Sequence, residues 1–177
     1  LTIYTTVRNI GEGAALGWGF NCPTQKLLGS YEAGDPRKIV SIGEMGDPIF
    51  INDVWDTMNC RQSPTNMYGR KYEASPAQYW ASRSADGNGP NNFPFIRFGD
   101  IILMAAEASL KTGDNASALD YVNMIRLRAR NGAATGVPED LSAVDMAAIQ
   151  HERMLELAGE GHRFFDLVRW GIPDIMI

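Results

Sequence analysis

Phe98-Gly-Asp-Ile-Ile-Leu-Met-Ala-Ala-Glu-Ala-Ser-Leu-Lys-Thr-Gly-Asp114, continued by Asn115-Ala-Ser-Ala-Leu-Asp-Tyr-Val-Asn-Met-Ile-Arg-Leu-Arg-Ala-Arg130, decides the fold. Between Ile96 and Lys111 the residues Ile101, Ile102, Leu103, Met104, Ala105, Ala106 and Ala108 cover most of a helical wheel. A helix so apolar is expected to be buried on several sides, as in a stack of helices. Gly113 closes it and Asp114 opens the next, a glycine past the helix end followed by an N-cap. The second helix, over 115–130, places Ala118, Val122, Ile125 and Ala129 at steps of 4, 3 and 4, which predicts one buried stripe.

Ala105, Ala108 and Ala118 flank the Gly-Asp turn, and small residues there let two helices approach closely. The hairpin resembles a tetratricopeptide unit. A single unit of that kind cannot bury its own faces, because each repeat relies on neighbours. No second clear copy occurs in the 177 residues. Downstream, Ser142-Ala-Val-Asp145 fits a capping box and predicts a third helix to about Ala158. Gly159 and Gly161 break that helix, and a last short one is expected from His162 to Trp170.

Residues 1–95 have another character. They hold 11 of the 18 glycines, 7 of the 9 prolines and 12 of the 17 aromatic residues, which is too much punctuation for long helices. One helix is expected from Thr24 to Glu32, with short strands at Lys38–Ile42 and Pro48–Ile51. The chain therefore divides into a loop-rich, aromatic-rich region over 1–95 and a helical scaffold region over 96–177. Solvated linkers have no need of large rings, so Trp18, Trp55, Tyr68 and Trp80 either glue loops to a core or face a ligand.

Net charge of −5 and a pI near 5 argue against a broad nucleic-acid surface, which needs excess Lys and Arg. No apolar run reaches the roughly 18 residues of a membrane-spanning helix. Leu1 opens the chain in place of Met and no signal segment follows, which reads as a processed form or a fragment. Cys22 and Cys60, 38 positions apart, form no zinc motif. They read as two free thiols, with a disulfide as the alternative.

The densest stretch is His151-Glu-Arg-Met-Leu-Glu-Leu-Ala-Gly-Glu-Gly-His-Arg-Phe-Phe-Asp-Leu-Val-Arg-Trp-Gly171. His151-Glu152 begins like a zincin helix, but Leu155 stands where the second His ligand belongs. Glu152, Glu156 and Glu160 repeat every four residues and repel unless compensated. Arg153, Arg163 and Arg169 are the natural compensators. The favoured reading is an Arg–Glu–Asp network locking the third helix to the fourth. A metal hydrolase built on His151, Glu152, Glu156 and His162 is the weaker alternative. No serine triad order, phosphate loop or nucleophile elbow is present, so no catalytic residue, metal ligand or cofactor is assigned.

The hairpin, together with His151-Glu-Arg153, Glu156-Leu157, Glu160-Gly-His-Arg163, Asp166-Leu167 and Arg169-Trp-Gly171, resembles the SusD/RagB nutrient-binding family. Pro23-Thr-Gln25, Tyr31-Glu32, Gly34-Asp-Pro-Arg37 and Arg70-Lys-Tyr72 match its upstream regions in order. The resemblance implies a mainly α fold, a SusD-like α-α superhelix in which tetratricopeptide-like hairpins and further helices carry a long loop-rich region. It implies a non-catalytic lipoprotein of the Bacteroidetes outer membrane, surface-exposed, that binds oligosaccharide or another nutrient and delivers it to a SusC-like TonB-dependent transporter. The lipid-bearing cysteine and earlier repeats of that family are not in this sequence, which reads as a C-terminal-half fragment. Aromatic rings cover the apolar faces of sugars, so Trp18, held between Gly17 and Gly19, leads the ligand candidates, followed by Trp55, Tyr68 and Trp80. A tetratricopeptide-type scaffold binding a peptide or protein is the alternative function.

Overall fold

The computed structural model describes residues 19–51, 54–72, 94–131 and 136–172. Among them the elements are α1 (Gln25–Leu28), α2 (Pro36–Ser41), β1 (Ile42–Glu44), β2 (Pro48–Ile51), β3 (Val54–Thr57), β4 (Met67–Gly69), α3 (Phe98–Lys111), α4 (Asn115–Arg130), α5 (Met146–Glu156) and α6 (His162–Arg169). The fold is mainly helical, as expected. None of the described helices is long and apolar enough to cross a membrane.

The described residues fall into two compact units. Residues 29–38, 94–131 and 136–172 make the helical one, and residues 19–28, 39–51 and 54–72 the other.

In the helical unit, α3 and α4 form the expected hairpin. Gly113 has φ of +87°, the left-handed geometry that a side chain resists, and the chain turns there in a Schellman motif. The amide of Asp114 donates to Ser109 O at 2.9 Å and that of Gly113 to Leu110 O at 3.1 Å. Asp114 then caps α4 through Ser117 N at 3.0 Å. Ile102, Leu103 and Ala106 of α3 pack with Val122 and Ile125 of α4 and Ile149 of α5. The stripe read from α4 is this core face. α3, however, is not buried on several sides: Phe98, Ile101 and Met104 are exposed. Its apolar wheel exceeds the surface that α4 and α5 cover.

Asn123 ties the following loop to α4, donating to Leu141 O at 3.0 Å and accepting from Leu141 N at 2.8 Å. The cap of α5 is Asp145, which accepts from Ala148 N at 2.8 Å, and not Ser142 as the capping-box reading had it. A carboxylate beside the first turn also suits the helix dipole.

The second unit holds two small antiparallel ribbons. β1 pairs with β4, Gly43 opposite Tyr68, and β2 pairs with β3, Phe50 opposite Trp55. Its core gathers Ile49, Met58, Cys60 and Tyr68, with Cys22 packed against them. The expected strand at 38–42 is instead mostly helix α2. Asp35 accepts from Arg37 N at 2.9 Å and Pro36 takes the first helical position, so a local helix start overrides the β-branched pair Ile39-Val40. The helix expected over 24–32 shortens to α1.

Candidate functional site

Trp18 and Trp80, two of the four ligand candidates, lie outside the described residues. Tyr68 is fully buried in the core of the second unit, where its ring packs with Ile49, Met58 and Cys60. Trp55 is placed differently, with 65% of its surface exposed on β3. The two rings stand in different ribbons, Tyr68 in β1–β4 and Trp55 in β2–β3. Ile49 of β2 is buried and pairs with Asp56, whereas the next pair along the ribbon is Phe50 with Trp55. Trp55 thus belongs to the face opposite Ile49 and points away from the core. Thr57 shares that face, and Asp56, Thr57 and Asn59 are exposed close by in sequence. The result is an indole at the surface, with Thr57 on the same face of β3.

The charged stretch resolves into a buried ion-pair network in the helical unit. Glu152 and Glu156 lie one helical turn apart on α5, and each side chain is 1% exposed. Two like charges so placed need cations between and around them. Arg37 supplies the first: its Nη1 donates to Glu152 Oε1 and lies 3.5 Å from Glu156 Oε2. Its Nε and Nη2 grip Asp35 at 3.0 and 2.7 Å. Arg126 donates from Nη1 to Glu152 Oε2 at 3.0 Å and also holds Glu32. Arg97 joins Glu156 at 2.5 Å and Glu160 at 2.7 Å, and Arg128 adds a further donor to Glu156. Gly99 permits the Arg97 contact, because a Cβ there would come within 2.6 Å of Arg97 Nη1 and 3.0 Å of Glu156 Oε1.

The compensators therefore differ from those expected. Arg153 pairs with Asp100 and Asp166, each at 2.9 Å, and in this way does join α5 to α3 and α6. Arg169 pairs with Asp166 at 2.8 Å and with Glu107 at 2.7 Å. Glu152, Glu156 and Glu160 are served instead by Arg37, Arg97, Arg126 and Arg128, from segments remote in sequence. The hydrolase alternative loses its chemistry here, because both oxygens of Glu152 are engaged by guanidiniums. His151 is exposed.

Burial and salt bridges pull the carboxyl groups in opposite directions. Burial raises the Glu107 pKa, but hydrogen bonds from Arg169 and Lys111 outweigh it and bring the group down to about 2. Trp170 Nε1 contributes at 3.3 Å, and the Arg169 guanidinium lies 4.5 Å above the indole centre. Glu156 is likewise held below its ordinary value: burial opposes, and Arg97, then Arg128 and Arg37, prevail. A carboxylate whose folded pKa is depressed stabilises the fold above its unfolded pKa, near 4.5, and loses that contribution as protons bind. The urea midpoint is therefore expected to fall steadily between about pH 5 and pH 2. A midpoint flat across that range would contradict the network.

The SusD family profile matches residues 2–175. SusD-like protein P25 of Formosa agariphila is 42% identical over 89 residues, covering 48% of this chain and 16% of that protein. The crystal structure of a SusD-like protein from Bacteroides fragilis superposes with a TM-score of 0.79 at 28% identity, covering 97% of this chain and 40% of the other. Surface glycan-binding protein A from Bacteroides uniformis gives 0.69 at 26% identity, covering 98% and 36%. The chain thus spans well under half the length of these relatives.

Proposed function

The chain belongs to the SusD family, and from that footing we propose that it serves non-catalytic capture of an oligosaccharide at the bacterial cell surface. The observation that carries this reading is Trp55, an indole mostly open to solvent on the strand face opposite buried Ile49. The exposed part of the indole is apolar surface whose burial against a ligand is favourable. A pyranose is such a partner, with its C–H face on the ring and its hydroxyls toward neighbouring polar groups. Trp18 and Trp80 are proposed as further ligand-contacting rings. The similarity to a protein named for surface glycan binding supports the ligand class. The whole protein would act at the outer membrane as a lipid-anchored partner of a SusC-like TonB-dependent transporter. The helical network contributes rigidity and takes no part in chemistry.

Calorimetry with a panel of oligosaccharides tests this. Trp55→Ala is expected to weaken glycan binding about tenfold, roughly 1.4 kcal/mol, with the fold unchanged. Equal affinity in the variant, or binding of peptides and no glycan, would remove the reading. The second reading, a scaffold for a peptide or protein, draws on Ile101 and Met104 of α3, exposed on a helix otherwise built for packing. A pull-down separates the two readings: a transporter as main partner supports capture, and a soluble peptide supports the scaffold.

A further inference from the structure

Cys60 is fully buried among Ile49, Met58 and Tyr68, and half-buried Cys22 packs against the same cluster. The fold brings both cysteines to one apolar cluster although 38 positions separate them in sequence. Neither is committed to another strong partner. Cys22 Sγ donates to Gly19 O at 3.0 Å, and Cys60 Sγ has a long contact of 3.8 Å to Gly43 O. We propose that Cys22 and Cys60 form a cross-linking pair, oxidised by an external disulfide to a Cys22–Cys60 bridge that fastens the loop before α1 to the core beneath β1.

The small core around them gives the bridge a purpose. Units that bury few apolar side chains are those in which disulfides recur. A metal is the other use of paired thiols, but tetrahedral zinc needs further ligands. Among the described residues no group of three His, Cys, Asp or Glu stands ready to hold one.

The exchange balances as follows. The Cys22 thiolate, nearer solvent, attacks one sulfur of R–S–S–R and expels the first thiolate, leaving Cys22–S–S–R. The Cys60 thiolate attacks the Cys22 sulfur and expels the second. Two protein thiols are oxidised, one external disulfide is reduced to two R–SH, and the two thiol protons pass to the leaving groups. The second attack is slow at neutral pH. Burial first, then Asp47, Cys22 and Glu44, push the Cys60 thiol up to about 11. Closure is therefore expected to accelerate about tenfold per pH unit through the neutral range.

Oxidised glutathione serves as R–S–S–R. After incubation of the intact protein, unfolding and alkylation with iodoacetamide, mass spectrometry is expected to show alkylatable thiols falling from two to none. One peptide pair joined through residues 22 and 60 should appear. Cys22→Ser is expected to abolish that pair. Two thiols that still alkylate, a separate glutathione on each, or cross-links only between chains would each overturn the proposal.

Discussion

Glu152→Ala is expected to lower stability by about 3–5 kcal/mol, the usual cost of removing one member of a buried ion pair. The Glu152 carboxylate is 1% exposed and its partners, Arg37 and Arg126, are 8% and 5% exposed. Alanine would leave two guanidiniums facing a void. Arginine cannot shed its proton to escape, so the desolvation penalty stays in full. Burial lowers the Arg37 pKa, yet its bond to Asp35 and the Glu152 charge raise it on balance, which ties that cation to its charged form. For a chain of this length each kcal/mol moves the melting temperature by about 2–4 °C, so a fall on the order of 10 °C should register in the helical circular dichroism. Arg37→Ala should produce a loss of the same order, and the double variant much less than the sum of the two. Additive losses would mean that the two side chains do not act together.

Leu103→Ala is the second large effect, a loss of about 2–5 kcal/mol. Leu103 is fully buried where α3, α4 and α5 meet. Truncation removes its transfer free energy and leaves a cavity that Ile125 and Ile149 fill only in part. Ile101, two positions earlier, is 44% exposed and provides the control. Ile101→Ala is expected to cost no more than about 0.5 kcal/mol. Equal losses in urea unfolding would show that the buried and open faces of α3 have been exchanged.

The two helices of the hairpin were legible because their signals are local. The Gly113-Asp114 turn needs one glycine and one cap, and the α4 stripe needs only a period. The helix start at Asp35-Pro36 is equally local, yet the pair Ile39-Val40 concealed it by favouring a strand. What the sequence could not reveal was pairing over distance. Three glutamates at steps of four announced that cations were required, but nothing near them in sequence said which. The nearest arginines were the obvious choice, yet two of them, Arg153 and Arg169, turned out to be needed by Asp100, Asp166 and Glu107. Arg37 and Arg97 come from the first turn of α2 and the approach to α3, outside any long periodic segment. The aromatic residues show the same limit. Composition marks Trp55 and Tyr68 alike, and only the packing of each ribbon separates an exposed ring from a core one.

The helical unit draws on two stretches of chain, one ending at Lys38 and one resuming at Pro94, with Arg37 and Arg97 as the bolts near each end. Both clamps close on α5, through Glu152 and Glu156, so this unit's anchorage is carried by its own residues on either side of the intervening segment.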